Sequence, residues 1–420
     1  MRNSRVAAGL GIILGGALAA AVISLPARTA PLTIADDFLG GLADRRDSMT
    51  GLIVPEDETR ETPDEPPKTN DIGPQRPLAN PPAVIKAIYA TNWSMSHQGK
   101  TDYLLNLIDT TELNAIVIDI KDYTGIVPYR VNIPAVNRYG AAESRIPKIN
   151  ALIRDLHERG IYVIGRLSVF QDLALAKARP DLALISSSTA KTWTDNRGLT
   201  WLDSSSREVW DYNIAIAQDA LSRGFDEINF DYIRFASDGK LSDIKYPVWD
   251  ETTLKTNVMR DFFKYLRDSL GETAKLSADL FGLVTVNTDG LGIGQHLEHA
   301  LPYFDAIAPM VYPSHYFPGF IGYQNPGAHP YEVIKYSMDR AVARLKEYAA
   351  SAATSTPPVR ATLRPWFQDF DLGADYDAAM VRSEIQAWDD AASSTPAYSS
   401  GWMIWNAGNN YTREALIAND

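Results

Sequence analysis

Cysteine is absent from the 420-residue chain. Disulfides, thiolate nucleophiles and thiolate-ligated zinc are therefore excluded. The compartment is not, because a chain this long can build a core that is stable without disulfides. Histidine is scarce, with six in all. His296 and His299 flank Glu298 but fit no zinc-binding spacing, so neither a metal nor a cofactor is expected. A phosphate loop is missing too, since Gly290-Leu291-Gly292-Ile293-Gly294 lacks the following Lys-Ser/Thr. Ser94, Ser168 and Ser314 have no nucleophile-elbow context. Positive charge is in deficit, with 40 Lys and Arg against 52 Asp and Glu and a formal charge of -12. Phosphate backbones need clustered cations, so nucleic acid is not expected as a partner.

What is present is ordinary globular material, 45% hydrophobic and 22% charged. The first 30 residues are different. Arg2 and Arg5 precede an uncharged run from Val6 to Leu25, the pattern of an export signal. The run is also just long enough to span a bilayer. Residues 1–30 are expected to be a signal peptide or a membrane anchor. The protein is then exported to the periplasm or the exterior, or tethered to the inner membrane. Residues 31–82 read as an acidic, Pro-rich linker. Eight prolines from Pro55 to Pro82 oppose regular helix and sheet, and such a stretch buries too little apolar surface to fold.

From residue 83 to 420 short apolar runs alternate with amphipathic ones. Eight strands are expected at Val84–Thr91, Ala115–Ile120, Tyr162–Ser168, Glu227–Ile233, Leu276–Phe281, Ala306–Tyr312, Arg360–Trp366 and Gly401–Asn406. Arg207–Arg223, Thr252–Leu270 and Tyr331–Tyr348 have helical periodicity. The second of these puts Leu254, Val258, Phe262 and Leu266 on one face. Regular strand–helix alternation implies a parallel sheet, and eight units imply an α/β fold of the (β/α)8 TIM-barrel type. A doubly wound open sheet is the rival. Its Gly-rich first turn is missing from Thr91-Asn92-Trp93-Ser94.

Chemistry in such a barrel sits at the C-terminal strand ends, and strand residues alternate faces. In strand 4, Glu227, Asn229 and Asp231 share the inward face, which puts Asp231 near the top. Strand 5 offers Asp279 beside it. Two carboxylates across a bond are what glycoside hydrolysis requires. The bland alternatives are an Asp231 neutralised by Arg166 or Arg234, and a loop-organising Asp279. In strand 2, Asp119 and Lys121 read as a structural ion pair, while Asp122 begins a loop within reach of substrate. Arg166 faces inward on strand 3. Strand 6 ends with Tyr312 and His315, strand 7 with Arg364, Trp366 and Gln368, and strand 8 with Trp405 and Asn406. Aromatic faces beside hydrogen-bonding groups suit sugars, with Trp93, Trp366 and Trp405 as stacking platforms. Any single Trp is more often core.

The segments Ala115–Gly125, Phe225–Phe235, Met310–Ser314 and Arg364–Asp369 together resemble the putative glycosyl hydrolase domain family of bacterial proteins. That family is distantly similar to α-amylase-like barrel hydrolases, and the resemblance covers roughly residues 83–410. It implies a β/α barrel and glycosidase activity. In amylase-like barrels the nucleophile is an Asp ending strand 4, which maps onto Asp231. The acid is usually a Glu on strand 5, where this chain has Asp279. The resulting expectation is a two-carboxylate glycoside hydrolase with Asp231 as nucleophile or base and Asp279 as acid. Asp122, Arg166, Asn229, Arg234, Tyr312, His315, Arg364, Trp366, Gln368, Trp405 and Asn406 would hold the carbohydrate. The alternative is a non-catalytic glycan-binding barrel of the cell envelope.

Overall fold

The structure, a computed structural model, describes residues 70–351 and 357–419. The proposed export or anchor segment and most of the proposed linker lie outside the described residues. Among the described residues no helix is long and apolar enough to cross a membrane.

Eight parallel strands close into a barrel. They are β1 (Ile85–Ala90), β2 (Ala115–Lys121), β3 (Tyr162–Ser168), β4 (Glu227–Asp231), β5 (Leu276–Phe281), β6 (Ala306–Met310), β7 and β8 (Gly401–Trp405). Strand β7 comes in two pieces, Thr362–Leu363 and Trp366–Gln368. The break falls at Arg364-Pro365, where proline has no N–H for the ladder. Its first piece pairs with β6 and its second with β8, and β8 pairs with β1, so no open edge remains. All eight expected strands are present, and the barrel excludes the open-sheet rival.

Helices follow the expected periodicity, with one correction. Helix α1 (Arg207–Arg223) begins at Ser206, whose hydroxyl caps Val209 N, and ends at Gly224 with φ 103°. A Cβ at Gly224 would lie 2.7 Å from Gln75 O, so packing as well as φ demands glycine there. Helix α2 (Lys255–Leu270) starts three residues later than expected. Leu254 precedes it and is 66% exposed instead of packed, because the Asp250 carboxylate binds the Thr252 and Thr253 amides in a local turn.

The expected linker ends earlier than residue 82. Asp71 accepts from Asn150 N and Ala151 N at the start of the Ile149–Glu158 helix, and Gln75 N donates to Arg223 O. Leu78 packs against the apolar plug inside the barrel's N-terminal end, with its amide held by Asp226 Oδ1 at 2.6 Å. Proline does keep 70–82 out of regular structure. It does not prevent docking, because an extended chain can still donate amides and bury one leucine.

Two apolar cores result. The larger lies between strands and helices, and the smaller fills the barrel axis with Ala87, Tyr89, Val117, Ile164, Ala308, Trp366 and Met403. The loops after β3 and β4 are long and tied together by a two-residue antiparallel ribbon, Ile185–Ser186 with Ile244–Lys245.

The expected Asp119–Lys121 ion pair does not form. The β2–β3 register shifts between these two residues, so strict alternation fails. Lys121 instead meets Asp172 at 2.6 Å, with both side chains fully buried, and its ammonium lies 5.7 Å from the Tyr212 ring of α1. Asp172 also caps Leu175 N. Removing one member of such a pair leaves an uncompensated charge. Asp172→Ala is expected to cost about 3–5 kcal/mol in urea unfolding, and the double variant Lys121→Met with Asp172→Leu to recover a large part of it.

Candidate active site

The strand tops open into a cavity of about 410 Å³. Its centre is Arg166 of β3. The guanidinium donates from Nη1 to Asp119 Oδ1 at 2.6 Å, from Nη2 to Asp231 Oδ2 at 2.5 Å and from Nε to the same Asp231 oxygen at 3.1 Å. Asp279 Oδ2 lies 4.0 Å from Nε. Behind the cation, Tyr89 and Trp405 stack with centroids 3.8 Å apart, and Trp405 is 4.9 Å from Arg166 Cζ. Four consecutive strands, β2 to β5, thus each contribute one ionisable group.

Each carboxylate has its own environment. Asp231 Oδ1 accepts from Tyr232 N at 2.6 Å. Tyr232 has φ 53°, a conformation costly for a non-glycine residue. That turn ends β4 two residues earlier than expected and aims its next amide back at the carboxylate. Asp279 Oδ1 accepts from Asn229 Nδ2 at 2.8 Å and Trp366 Nε1 at 2.7 Å. Its other oxygen faces Arg166 and the cavity. Burial, and then the charge of Asp231, push the Asp279 carboxyl well above the usual range; Arg166, Asn229 and Trp366 pull less strongly the other way. Burial also pushes Asp119 up to about 6, opposed by Arg166 and reinforced by Asp122. Asp119 Oδ2 accepts from Tyr89 OH at 2.5 Å.

Asp231 Oδ2 and Asp279 Oδ2 lie 3.1 and 4.0 Å from the same nitrogen, so those two oxygens are at most about 7 Å apart. A sugar ring and its glycosidic oxygen fit between carboxyls at that spacing.

Of the residues expected to hold substrate, Asp122, Arg166, Arg234, Tyr312, His315 and Trp405 line the cavity with Asp231 and Asp279. Asn229, Arg364, Trp366, Gln368 and Asn406 do not. Alternation gives the face a side chain points to, but not its depth along the barrel axis. Arg364 sits lower, paired with Glu227 in the packed interior. Asn229 and Trp366 lie under Asp279 and hold it, which makes Trp366 a support and not a stacking platform. Asn406 Nδ2 ties the loop after β8 to Asp369 O. Gln368 acts from behind His315. Its Nε2 donates to Phe370 O, and its Oε1 accepts from Ser314 N and from Ser314 Oγ at 2.7 Å. The serine proton is thereby committed, so the 3.0 Å contact of Ser314 Oγ with His315 Nδ1 has the ring as donor. Asp122 accepts from Asn92 Nδ2 and Arg145 Nη1, both at 3.1 Å, and Arg145 lies 4.2 Å from the ring of Trp93 at the cavity rim, which is 60% exposed.

Sequence reasoning passed over Tyr89 and Asp119. Tyr89 carried a signal, since it continues the inward series Ile85, Ala87. Asp119 was assigned to Lys121, and only the β2 bulge separates them. Among the described residues no group of three or more His, Asp or Glu is arranged to hold a metal ion.

No curated protein matches the chain. A crystal structure of a hypothetical protein from Ruminiclostridium thermocellum is 38% identical, covers 46% of this chain and 96% of its own, and superposes with a TM-score of 0.42. The glycoside hydrolase domain of PgaB (BpsB) from Bordetella bronchiseptica is 13% identical over 81% of this chain and 100% of its own. Its TM-score of 0.53 reflects a shared barrel fold. A family model covers residues 87–411, from the middle of β1 to beyond β8, and by that match the chain belongs to the putative glycosyl hydrolase domain family.

Proposed function

We propose that this protein is a glycoside hydrolase that cleaves a polysaccharide or envelope glycan with Asp231 and Asp279 as its two working carboxyls. The observation that carries the reading is their unequal environment across one cavity. Asp231 is ion-paired with Arg166 and therefore suited to act as an anion. Asp279 is buried beside that anion and so favours its protonated form. Paired carboxyls with opposed environments divide into acid and nucleophile or base.

In this mechanism Asp279 donates its proton to the glycosidic oxygen as the bond breaks, and Asp231 faces the anomeric carbon. A gap of at most about 7 Å includes the whole ~5–5.5 Å spacing of retaining enzymes and only the short end of the ~6.5–9.5 Å inverting range, which supports direct attack and retention of configuration. Trp405, Trp93 and Tyr312 offer ring faces to the sugar. The N-terminal basic and apolar segment supports an exported enzyme whose glycan lies outside the cytoplasm. A glycan-binding barrel without turnover has no comparable use for a protonated Asp279.

The first test is hydrolysis of a panel of bacterial and plant glycans by the full chain. Asp231→Asn is expected to abolish cleavage while the fold remains intact by circular dichroism; full activity in that variant would sink the assignment. Asp279→Asn should lower kcat on natural glycosides by about 10²–10⁴-fold. Nitrophenyl glycosides should lose far less, because their leaving group departs without a proton. The anomer first released, followed by proton NMR, should keep the configuration of the substrate.

The protonation claim has a separate readout. Asp279 must be protonated to act, so its raised pKa should carry activity above neutral pH and set the alkaline limb. In carbon-13 NMR of carboxyl-labelled Asp, the Asp279 signal should titrate at lower pH in Asp231→Asn, since a negative neighbour has been removed. An unmoved titration would show that Asp231 does not govern it.

A further inference from the structure

Arg197 and Arg234 line the cavity besides Arg166, and Arg234 is the buried one that the two-carboxylate chemistry does not use. Arg234 is three residues beyond Asp231, 5% exposed, and lines the cavity. Its Nη1 donates to Phe235 O at 3.2 Å and Ser237 Oγ at 2.9 Å. Trp201 and Phe281 rings each lie 4.6 Å from its Cζ, and Tyr232 lies at 5.4 Å. Those contacts fix the plane of the guanidinium, and cation–π attraction offsets part of its desolvation.

They do not neutralise it. The other buried arginines, Arg166, Arg267, Arg344 and Arg364, each hold a carboxylate. Among the described residues no carboxylate lies within 4.0 Å of Arg234, and none accepts from its Nε or Nη2. These two nitrogens form the side-on edge of the guanidinium, whose parallel N–H bonds match the two oxygens of a carboxylate. The acids of the cavity do not fill this role. Asp119 and Asp231 belong to Arg166, and Asp122 to Arg145. A cation kept buried, oriented and without an internal counter-charge beside a reaction centre is a site for an anion brought by the ligand.

We propose that Arg234 receives a sugar carboxylate, so that the glycan cleaved here is acidic and contains uronate residues. The substrate class rests on the glycosidase reading; the recognition itself does not. Trp201, Phe281 and Tyr232 position Arg234, and the carboxylated ring occupies the side of the cavity between Asp231 and these aromatics.

The test uses the full chain and oligosaccharides of polygalacturonate, polymannuronate and glucuronan. Each is compared with the same oligosaccharide after reduction of its carboxyls to primary alcohols. Calorimetric titration should find at least one acidic form bound about tenfold or more tighter than its reduced partner, with the preference shrinking as salt rises. Arg234→Gln should remove the preference, and Arg234→Lys, which keeps charge but loses the fork, should restore only part of it. Thermal melting checks that both variants fold, and the wild-type comparison needs no variant at all. Equal affinity for acidic and reduced forms overturns the proposal. So does an acid preference that survives in Arg234→Gln. Acid preference without cleavage would keep Arg234 as a carboxylate site and reject the hydrolase. Cleavage of neutral glycans unaffected by Arg234→Gln would do the reverse.

Discussion

One guanidinium shared among carboxylates organises this molecule's functional end. Arg166 bonds Asp119 of β2 and Asp231 of β4 and lies within reach of Asp279 of β5. Like charges brought this close are tolerable only if a cation sits among them and one of the acids gives up its charge. Arg166 supplies the cation, with the Tyr89–Trp405 stack behind it. Burial, and then the charge of Asp231, push the Asp279 carboxyl upward and favour its protonated form. The same arrangement therefore makes the cluster stable and makes its two cavity acids unequal, which is what acid and nucleophile require.

The layers beneath serve that asymmetry. The barrel axis below is filled with apolar side chains and with the buried Glu227–Arg364 pair. Trp366 reaches from β7 past β6 to hold Asp279, because the curved barrel wall turns the side chains of alternate strands toward one another at the axis. The strained turn at Tyr232 fixes Asp231 from the other side. It also starts the segment that delivers Arg234 to the same cavity, so the placement of both side chains depends on one backbone feature.

Much of this could be read from the order of residues. Eight apolar runs with helices between them are a local property, and period two is enough to place Asp231, Arg166 and Tyr312 on the inward face. What local pattern leaves open has a common cause. Alternation pairs Lys121 with Asp119 unless a bulge intervenes, and the bulge is set by the neighbouring strand. Alternation likewise gives Trp366, Gln368, Arg364, Asn229 and Asn406 a face but not a depth, and none of them lines the cavity. Composition reports that 70–82 cannot form helix or sheet, not that Leu78 can dock on a finished barrel.

The sequence by itself determined the barrel, its strand order and the acid at the end of β4, since these follow from periodicities within short windows. Only the tertiary structure decided which carboxyls meet at Arg166, which of them loses its charge and which arginine is left without a counter-ion. Those outcomes depend on distances between strands far apart in the chain and on how completely water is excluded, and neither quantity is encoded in any single segment.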